Sequence, residues 1–238
     1  ALSRDSLSFA AAQKLYLGGQ RDAAAKSLRS YVASYPKGYY LTDALYYLSD
    51  CYLLAGDREN AIGTLTRLAG QGTNQYTVAV LEKLSGMTFE DKRWDEAASA
   101  YRRLYDVAPT KTGREDAMTG YVRATVAGGD GAKIAEMAAD VCGHDDAGAV
   151  ALREAKYAWA GQLRAEGRSA EAVKLYKELA KEVRTKEGSE AAYYVIESTF
   201  ESGDMDKTEA AVFAFSEREP QAYWLARAFI LLGDVYVR

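Results

Sequence analysis

The stretch from Asp43 to Leu68 contains two runs of apolar residues at helical spacing, and it constrains the fold more strongly than any other. In the first run, Leu45, Leu48 and Tyr52 recur at steps of three and four residues, which predicts an amphipathic helix. A turn at Gly56 follows, and a second run then repeats the same spacing. Two short helices in a hairpin cannot bury their apolar faces alone, so this unit needs neighbours of the same kind.

The neighbours appear as a regular spacing of the residues that end helices. Gly19 and Gly56 are 37 residues apart, each followed five residues later by alanine. Gly167 and Gly203 are 36 residues apart. The chain has three prolines, separated by 73 and 111 residues, which are close to two and three such periods: Pro36, Pro109 and Pro220. Because proline stops a helix, this spacing predicts a helical hairpin that recurs every 36 to 37 residues.

This pattern resembles the tetratricopeptide repeat, which reads W-x2-L-G-x2-Y, then A-x3-F, then P, over about 34 residues. The second hairpin matches the two blocks through Leu45, Leu48, Ser49 and Tyr52, then Ala61 and Leu65. The third matches through Leu81, Leu84, Ser85, Ala97, Tyr101 and Pro109, with Thr88 in place of the tyrosine. The last helix matches the first block through Phe229, Leu232, Gly233 and Tyr236. The resemblance covers nearly the whole chain and implies an all-α, right-handed α-solenoid.

The tyrosine-rich opening is similar, more narrowly, to the bacterial envelope branch of that family. In that branch, aromatic pairs precede the Leu-Gly step and a tyrosine-proline ends each hairpin, as in residues 31–57. This similarity implies a periplasmic or outer-membrane-associated protein; otherwise we expect a cytoplasmic one. No run of 18 apolar residues occurs, so the sequence predicts no transmembrane segment.

The periodicity predicts six helical pairs and one unpaired C-terminal helix. The first three pairs are predicted at Asp5–Leu17 and Arg21–Tyr35, Tyr39–Ala55 and Arg58–Ala69, and Gln75–Asp91 and Trp94–Val107. The others are predicted at Arg114–Ala127 and Ala132–Val141, Ala149–Ala165 and Ser169–Val183, and Ser189–Glu201 and Met205–Ser216, followed by Gln221–Val237. Short polar linkers predict one domain over residues 1–238. The fourth pair has small apolar residues and a glycine-rich turn, so we expect it to be the least stable.

The last helix, Gln221–Val237, is apolar nearly all round and carries the first block of the repeat without its second helix. We therefore expect the chain to be a piece of a longer repeat protein. Such a helix is also expected to associate with a second copy through its exposed side.

The composition predicts no catalytic, metal or cofactor site. The only histidine, His144, lies in the loop Cys142–Asp146, without a second ligand cluster or a nucleophile motif. A net charge of −4 gives no electrostatic footprint for nucleic acid. We expect both cysteines to be free thiols, with Cys51 contributing to packing. These observations favour a protein that is not an enzyme and needs no cofactor.

A tyrosine pair followed by an acid occurs twice on first helices, 147 residues apart: Tyr46-Tyr47-Leu48-Ser49-Asp50 and Tyr193-Tyr194-Val195-Ile196-Glu197. In the family that this chain resembles, the first helix lines the concave groove. The resemblance thus implies partner-binding residues that project into this groove: Tyr46, Tyr47, Asp50, Tyr157, Tyr193, Tyr194 and Glu197. The other interpretation is that one tyrosine of each pair packs between helices, with its hydroxyl at the rim.

Two function classes follow. The first is a scaffold that binds a protein or peptide with basic and apolar side chains, as modules of this family do when they assemble multiprotein complexes. Tyrosine is suited to such a surface because it combines apolar area with a polar tip. The alternative is a glycan-binding module or hydrolase built on helical hairpins, which would need two carboxylates about 5–10 Å apart in a closed pocket.

Overall fold

The computed structural model describes residues 3–237, and within this range the chain forms thirteen α-helices and no strand. In the first half of the chain these are α1 (Arg4–Leu17), α2 (Arg21–Ser34), α3 (Leu41–Leu54), α4 (Arg58–Ala69), α5 (Thr77–Glu90), α6 (Trp94–Val107) and α7 (Lys111–Gly128). In the second half they are α8 (Gly131–Cys142), α9 (Ala149–Ala165), α10 (Ser169–Leu179), α11 (Lys186–Glu201), α12 (Met205–Ser216) and α13 (Ala222–Val237). The predicted fold class, an all-α helical-repeat solenoid, is confirmed.

The helix boundaries differ from the predicted ones by three or more residues in three places. The second helix of the fifth pair ends at Leu179 and continues as a 3-10 turn over Ala180–Glu182. The next helix starts at Lys186, because the Thr185 hydroxyl accepts a hydrogen bond from the Gly188 amide and caps it there. The seventh helix begins at Lys111, three residues earlier than predicted.

The chain divides into two compact units, residues 1–120 and 121–238, and the division falls inside α7. In the first unit, α1 packs on α2, α3 on α4 and α5 on α6, and α2 and α4 also contact the first helix of the next hairpin. In the second unit, the same order joins α8 to α13, and α11 contacts both α12 and α13. Within the two units, α1 to α6 and α8 to α13 thus touch their neighbours along the chain, as expected for a repeat array.

The turn inside each hairpin explains the regular spacing of glycines. Five turn glycines have a φ of +72° to +83°, which costs glycine little because it lacks a Cβ: Gly19, Gly56, Gly129, Gly167 and Gly203. In the second hairpin, the Asp57 amide donates back to the Tyr52 carbonyl and closes the end of α3. The third hairpin makes the same turn with Lys92, at φ 58°.

In five of the six hairpins, the residue five positions after the turn residue is small. Ala24, Ala61 and Ala97 are fully buried, as is Thr208 at the equivalent place in the sixth pair. Larger side chains fill the space around them in the first unit, among them Leu28, Leu45, Ile62 and Leu65. The prolines lie just beyond second helices, as predicted: Pro36 follows α2, Pro109 follows α6 and Pro220 follows α12.

Candidate partner-binding site

The tyrosine pair on α3 connects three successive first helices in the first unit. Tyr47 stacks on Tyr16 of α1, with ring centroids 4.4 Å apart and an interplanar angle of 22°. Tyr46 turns the other way and stacks on Tyr76, at the start of α5, at 4.1 Å and 11°. Both rings are half-buried. The pair therefore forms part of a continuous aromatic surface along the first helices.

Carboxylates on this surface accept hydrogen bonds from tyrosine hydroxyls. The Tyr16 hydroxyl donates to Asp50 Oδ2 at 2.8 Å, and the Tyr76 hydroxyl donates to Asp43 Oδ1 at 2.5 Å. Burial, reinforced by the bond to Asp50, raises the pKa of Tyr16 to about 12. Burial and the bond to Asp43 likewise raise the pKa of Tyr76. The hydroxyls thus stay protonated and hold the carboxylates in place.

In the second unit, an open cleft lies between α9, α10 and α11, with aromatic side chains in its lining. Tyr157, Tyr176 and Tyr194 form its aromatic part, and Glu190 is its carboxylate. The Tyr157 hydroxyl donates to Glu190 Oε2 at 2.7 Å, and burial together with this bond raises the pKa of Tyr157. The cleft therefore repeats the tyrosine and carboxylate arrangement of the first unit.

Two carboxylates near this cleft differ in their ion pairing: Arg164 pairs with Glu197 but not with Glu190. Its guanidinium lies 3.9 Å from the centroid of the Tyr194 ring and donates to Glu197 Oε1 at 3.0 Å. Glu197 is therefore neutralised locally. Glu190, by contrast, has no lysine or arginine within ion-pair distance in the described part of the chain.

The expectation that Tyr193 is accessible is wrong. Only 4% of its surface is exposed, because Trp224 of α13 packs against the ring with centroids 5.5 Å apart and the Arg227 guanidinium covers it at 4.7 Å. Its hydroxyl donates to Glu197 Oε2 at 3.0 Å, which places the tyrosine and the acid on one helix face, as the spacing of four predicts. Tyr193 is thus a packing residue. This agrees with the other interpretation of the sequence, in which one tyrosine of each pair packs between helices.

The other predicted site residues fall into two sets, one in each compact unit. Tyr46, Tyr47 and Asp50 lie on α3, and Tyr157, Tyr194 and Glu197 lie on α9 and α11. All six are half-buried, and their role in binding a partner stays a prediction. Sequence reasoning missed several residues that complete the two surfaces: Tyr16, Asp43, Tyr76, Arg164 and Glu190. Their contacts join residues 33 or 34 positions apart, so the repeat length was the signal that could have found them.

The other residues with potential chemistry are His144 and the two cysteines. His144 Nε2 lies 3.2 Å from Asp140 Oδ1, one helical turn away. Among residues 3–237, no group of three or more histidine, cysteine and carboxylate side chains could hold a metal ion. Cys51 and Cys142 are free thiols, the former buried. None of the helices described between residues 3 and 237 has the length and apolar character needed to cross a bilayer.

The chain is similar to one protein family and to several solved structures. The family model of the tetratricopeptide repeat matches residues 8–38 and 43–71, which are the first and second hairpins. A tetratricopeptide repeat protein from Parabacteroides merdae is 15% identical, with 98% of this chain and 86% of that chain covered and a TM-score of 0.40. The TPR domain of P58(IPK) is 17% identical, covering 98% of this chain and 65% of that one, with a TM-score of 0.40. TPR-like repeats of a kinesin light chain from Podosopora anserina are 15% identical and cover 75% and 95%, with a TM-score of 0.37.

No curated protein sequence matches this chain significantly. Hairpins that stack in chain order, each turning on a residue of positive φ, define the class of helical-repeat scaffolds. The first two hairpins, over residues 8–38 and 43–71, are tetratricopeptide repeats. Repeats of this kind provide extended surfaces for protein interaction, and this chain is a scaffold of that general type.

Proposed function

We propose that this protein is a non-enzymatic scaffold that binds a protein or peptide presenting basic and apolar side chains to its first helices. One observation carries the proposal. Three carboxylates on the first helices are held by tyrosine hydroxyls and, within the described residues, form no ion pair: Asp43, Asp50 and Glu190.

A carboxylate held in this way keeps its full negative charge. A neutral hydroxyl orients the oxygen atoms, whereas an arginine would cancel their charge, as Arg164 does for Glu197. The surrounding rings also exclude water on one side, which strengthens the attraction for an incoming cation. The arrangement thus leaves three anionic positions ready for a partner.

The aromatic rings beside each carboxylate suit the rest of a basic side chain. The methylene stem of lysine or arginine packs on apolar surface while its charged end reaches the acid. A guanidinium can also lie over a tyrosine face, as the protein's own Arg164 lies over Tyr194. At the cleft of the second unit, a partner arginine would contact Tyr157 and pair with Glu190.

Assembly of a multiprotein complex in the bacterial envelope belongs to the same proposal. It is supported by the tyrosine-rich opening hairpins, which are similar to those of the envelope branch. Immunoblotting of periplasmic, membrane and cytoplasmic fractions tests the compartment. Recovery of the protein solely in the cytoplasmic fraction would overturn this part.

The binding proposal is tested with an array of synthetic peptides that vary in charge and aromatic content. We expect the captured peptides to be enriched in lysine, arginine and apolar residues, and their binding to weaken as salt is raised. For a captured peptide, Glu190→Gln removes the charge and keeps the shape of the side chain. We expect it to raise the Kd roughly tenfold, equivalent to about 1.4 kcal/mol.

Matched variants separate the cleft from a general charge effect. Glu171→Gln removes an equal charge from an exposed residue of α10 that pairs with Arg168, and we expect no change in Kd. Tyr157→Phe keeps the ring and removes the hydroxyl that orients Glu190, so a smaller loss is expected. Capture of acidic peptides, or an unchanged Kd for Glu190→Gln at full helicity, would refute the proposal.

A further inference from the structure

The last two helices carry an unusual concentration of exposed apolar side chains. Twelve large apolar side chains are exposed within residues 3–237, and six of them lie on α12 and α13: Phe213, Tyr223, Phe229, Ile230, Tyr236 and Val237. Ile230 is 70% exposed and Val237 is 88% exposed. A cluster of this kind marks a surface on which another molecule packs.

The exposed face of α13 has the spacing of a coiled-coil seam. Its central residues recur at alternating steps of three and four, and all are exposed: Tyr223, Ala226, Ile230, Gly233 and Val237. The opposite face packs into the second unit through Trp224, Ala228 and Leu232, which are buried. Such a heptad pattern on a solvent-facing stripe favours pairing with another helix of the same spacing.

This stripe is complementary to itself when two copies run antiparallel. In a pair centred on Ile230, residues equally far before and after it lie next to each other across the two-fold axis. Tyr223 and Val237 are each seven residues from Ile230, so the large ring of one copy meets the smaller side chain of the other. Ala226 lies four residues before Ile230 and Gly233 lies three residues after it, so in the pair they lie within one residue of each other, and their small size permits a close approach of the helices.

The charges beside the stripe favour the same arrangement. Arg227 lies three residues before Ile230 and Asp234 lies four residues after it. In the antiparallel pair, Arg227 of each copy therefore lies beside Asp234 of the other copy, which gives two equivalent contacts. Within the described part of one copy, Asp234 makes no ion pair, and Arg227 lies over the rings of Tyr193 and Trp224 without a carboxylate partner. In a parallel pair, Asp234 would instead lie beside Phe229 and Tyr236, which offer it no charge.

We propose that α13 is a homodimerisation surface on which a second copy of this chain packs antiparallel, with Ile230 on the two-fold axis. This interface is independent of the tyrosine and carboxylate surfaces, so either proposal can fail without the other. The apolar stripe supplies most of the association, and the exposed Arg227–Asp234 pairs contribute to orientation more than to affinity.

The first test is the mass in solution, measured by light scattering across a concentration series. We expect the native chain to approach twice its monomer mass of 26.0 kDa as concentration rises. Ile230→Asp places two like charges on the axis and should shift the chain to monomer with unchanged helicity. The matched control, Leu17→Asp, changes a 72% exposed leucine of α1 and should leave the dimer intact. A native chain that stays monomeric, or assemblies that survive Ile230→Asp, would overturn the proposal.

The second test is the orientation of the two helices, read by disulfide cross-linking. Two variants with one exposed cysteine each, Tyr223→Cys and Val237→Cys, are made in a background in which the exposed Cys142 is replaced by serine and Cys51 stays buried. On mild oxidation of the mixed proteins, we expect the disulfide to join one variant to the other. Disulfides formed only within each variant would show a parallel pair and would refute the antiparallel arrangement.

Discussion

At the scale of single residues, tyrosine hydroxyls bonded to carboxylates connect helices within and between hairpins. Tyr16 with Asp50 and Tyr157 with Glu190 join first helices, and Tyr31 of α2 reaches back to Asp5 of α1. Each bond pairs a buried or half-buried phenol with an acid, which satisfies both groups without burying a second charge. The repeat length brings these partners together across separations of 26 to 34 residues.

We expect Tyr31→Phe to destabilise the first unit. The Tyr31 ring is fully buried, and its hydroxyl donates to Asp5 and accepts from the Tyr40 amide at 3.2 Å. Removing the oxygen leaves both partners short of a bond, which should cost about 1–3 kcal/mol of unfolding free energy in urea. Tyr39→Phe, at an 86% exposed position, serves as the control and should change little. Equal stability of the two variants would show that the Tyr31 hydroxyl contributes nothing.

The same tyrosines predict a loss of stability at alkaline pH. In the unfolded chain a tyrosine loses its proton near pH 10, whereas burial raises the folded pKa of Tyr16 and of Tyr176 to about 12. Between these values the unfolded state binds fewer protons, so its free energy falls relative to the folded state. We expect urea midpoints to be unaffected by these groups below pH 10 and to decrease from pH 10 to 12. A urea midpoint that stays constant from pH 10 to 12 would contradict this.

At the scale of secondary-structure elements, the hairpin turn sets the architecture. Five of the turns place glycine at positive φ, and Lys92 occupies the same position in the third hairpin. A residue with a Cβ is strained in that conformation by about 1–2 kcal/mol. The regular glycine spacing of the sequence therefore marks turns, and its interruption at Lys92 marks a strained one.

We expect Lys92→Gly to stabilise the protein. Lys92 is exposed and its backbone has a φ of 58°, so glycine relieves the strain without removing a packed side chain. Part of the gain is offset because glycine is more flexible in the unfolded chain, which leaves about 0.5–1 kcal/mol. Gly56→Ala is the reverse change at an equivalent turn and should destabilise by a similar amount. Chemical denaturation measures both, and a destabilised Lys92→Gly variant would refute the explanation.

At the scale of the whole molecule, the division into two compact units falls inside α7, the first helix of the fourth hairpin. This hairpin also contains the glycine-rich turn that the sequence marks as the least stable. Gly129 in that turn adopts positive φ, and the following helix is rich in alanine. Glycine loses more conformational freedom on ordering than other residues do, so this turn is expected to open more readily than the others.

We expect amide hydrogens of residues 128–148 to exchange faster than those of residues 45–68. The second hairpin buries Leu45, Ile62 and Leu65 fully. The fourth also buries larger side chains, among them Ile134, Met137 and Val141, so the expected difference rests on the glycine-rich turn between its helices. Hydrogen exchange followed by mass spectrometry compares the two segments in one sample. Equal protection would show that the fourth hairpin is as stable as the second.

The sequence by itself determined the number of helices, most of their ends and the repeat. These features depend on local chemistry: the 3.6-residue period, the turn glycines and the prolines that stop second helices. Only the tertiary structure decided which tyrosine of a pair is accessible. Tyr193 resembles Tyr46 in sequence, yet it is buried because Trp224 and Arg227 of a later helix cover it. Likewise, Glu190 is a candidate site residue because it accepts a hydrogen bond from Tyr157, which lies 33 residues earlier in the chain. Burial and long-range hydrogen bonds depend on what the neighbouring repeat presents, which a local pattern does not contain.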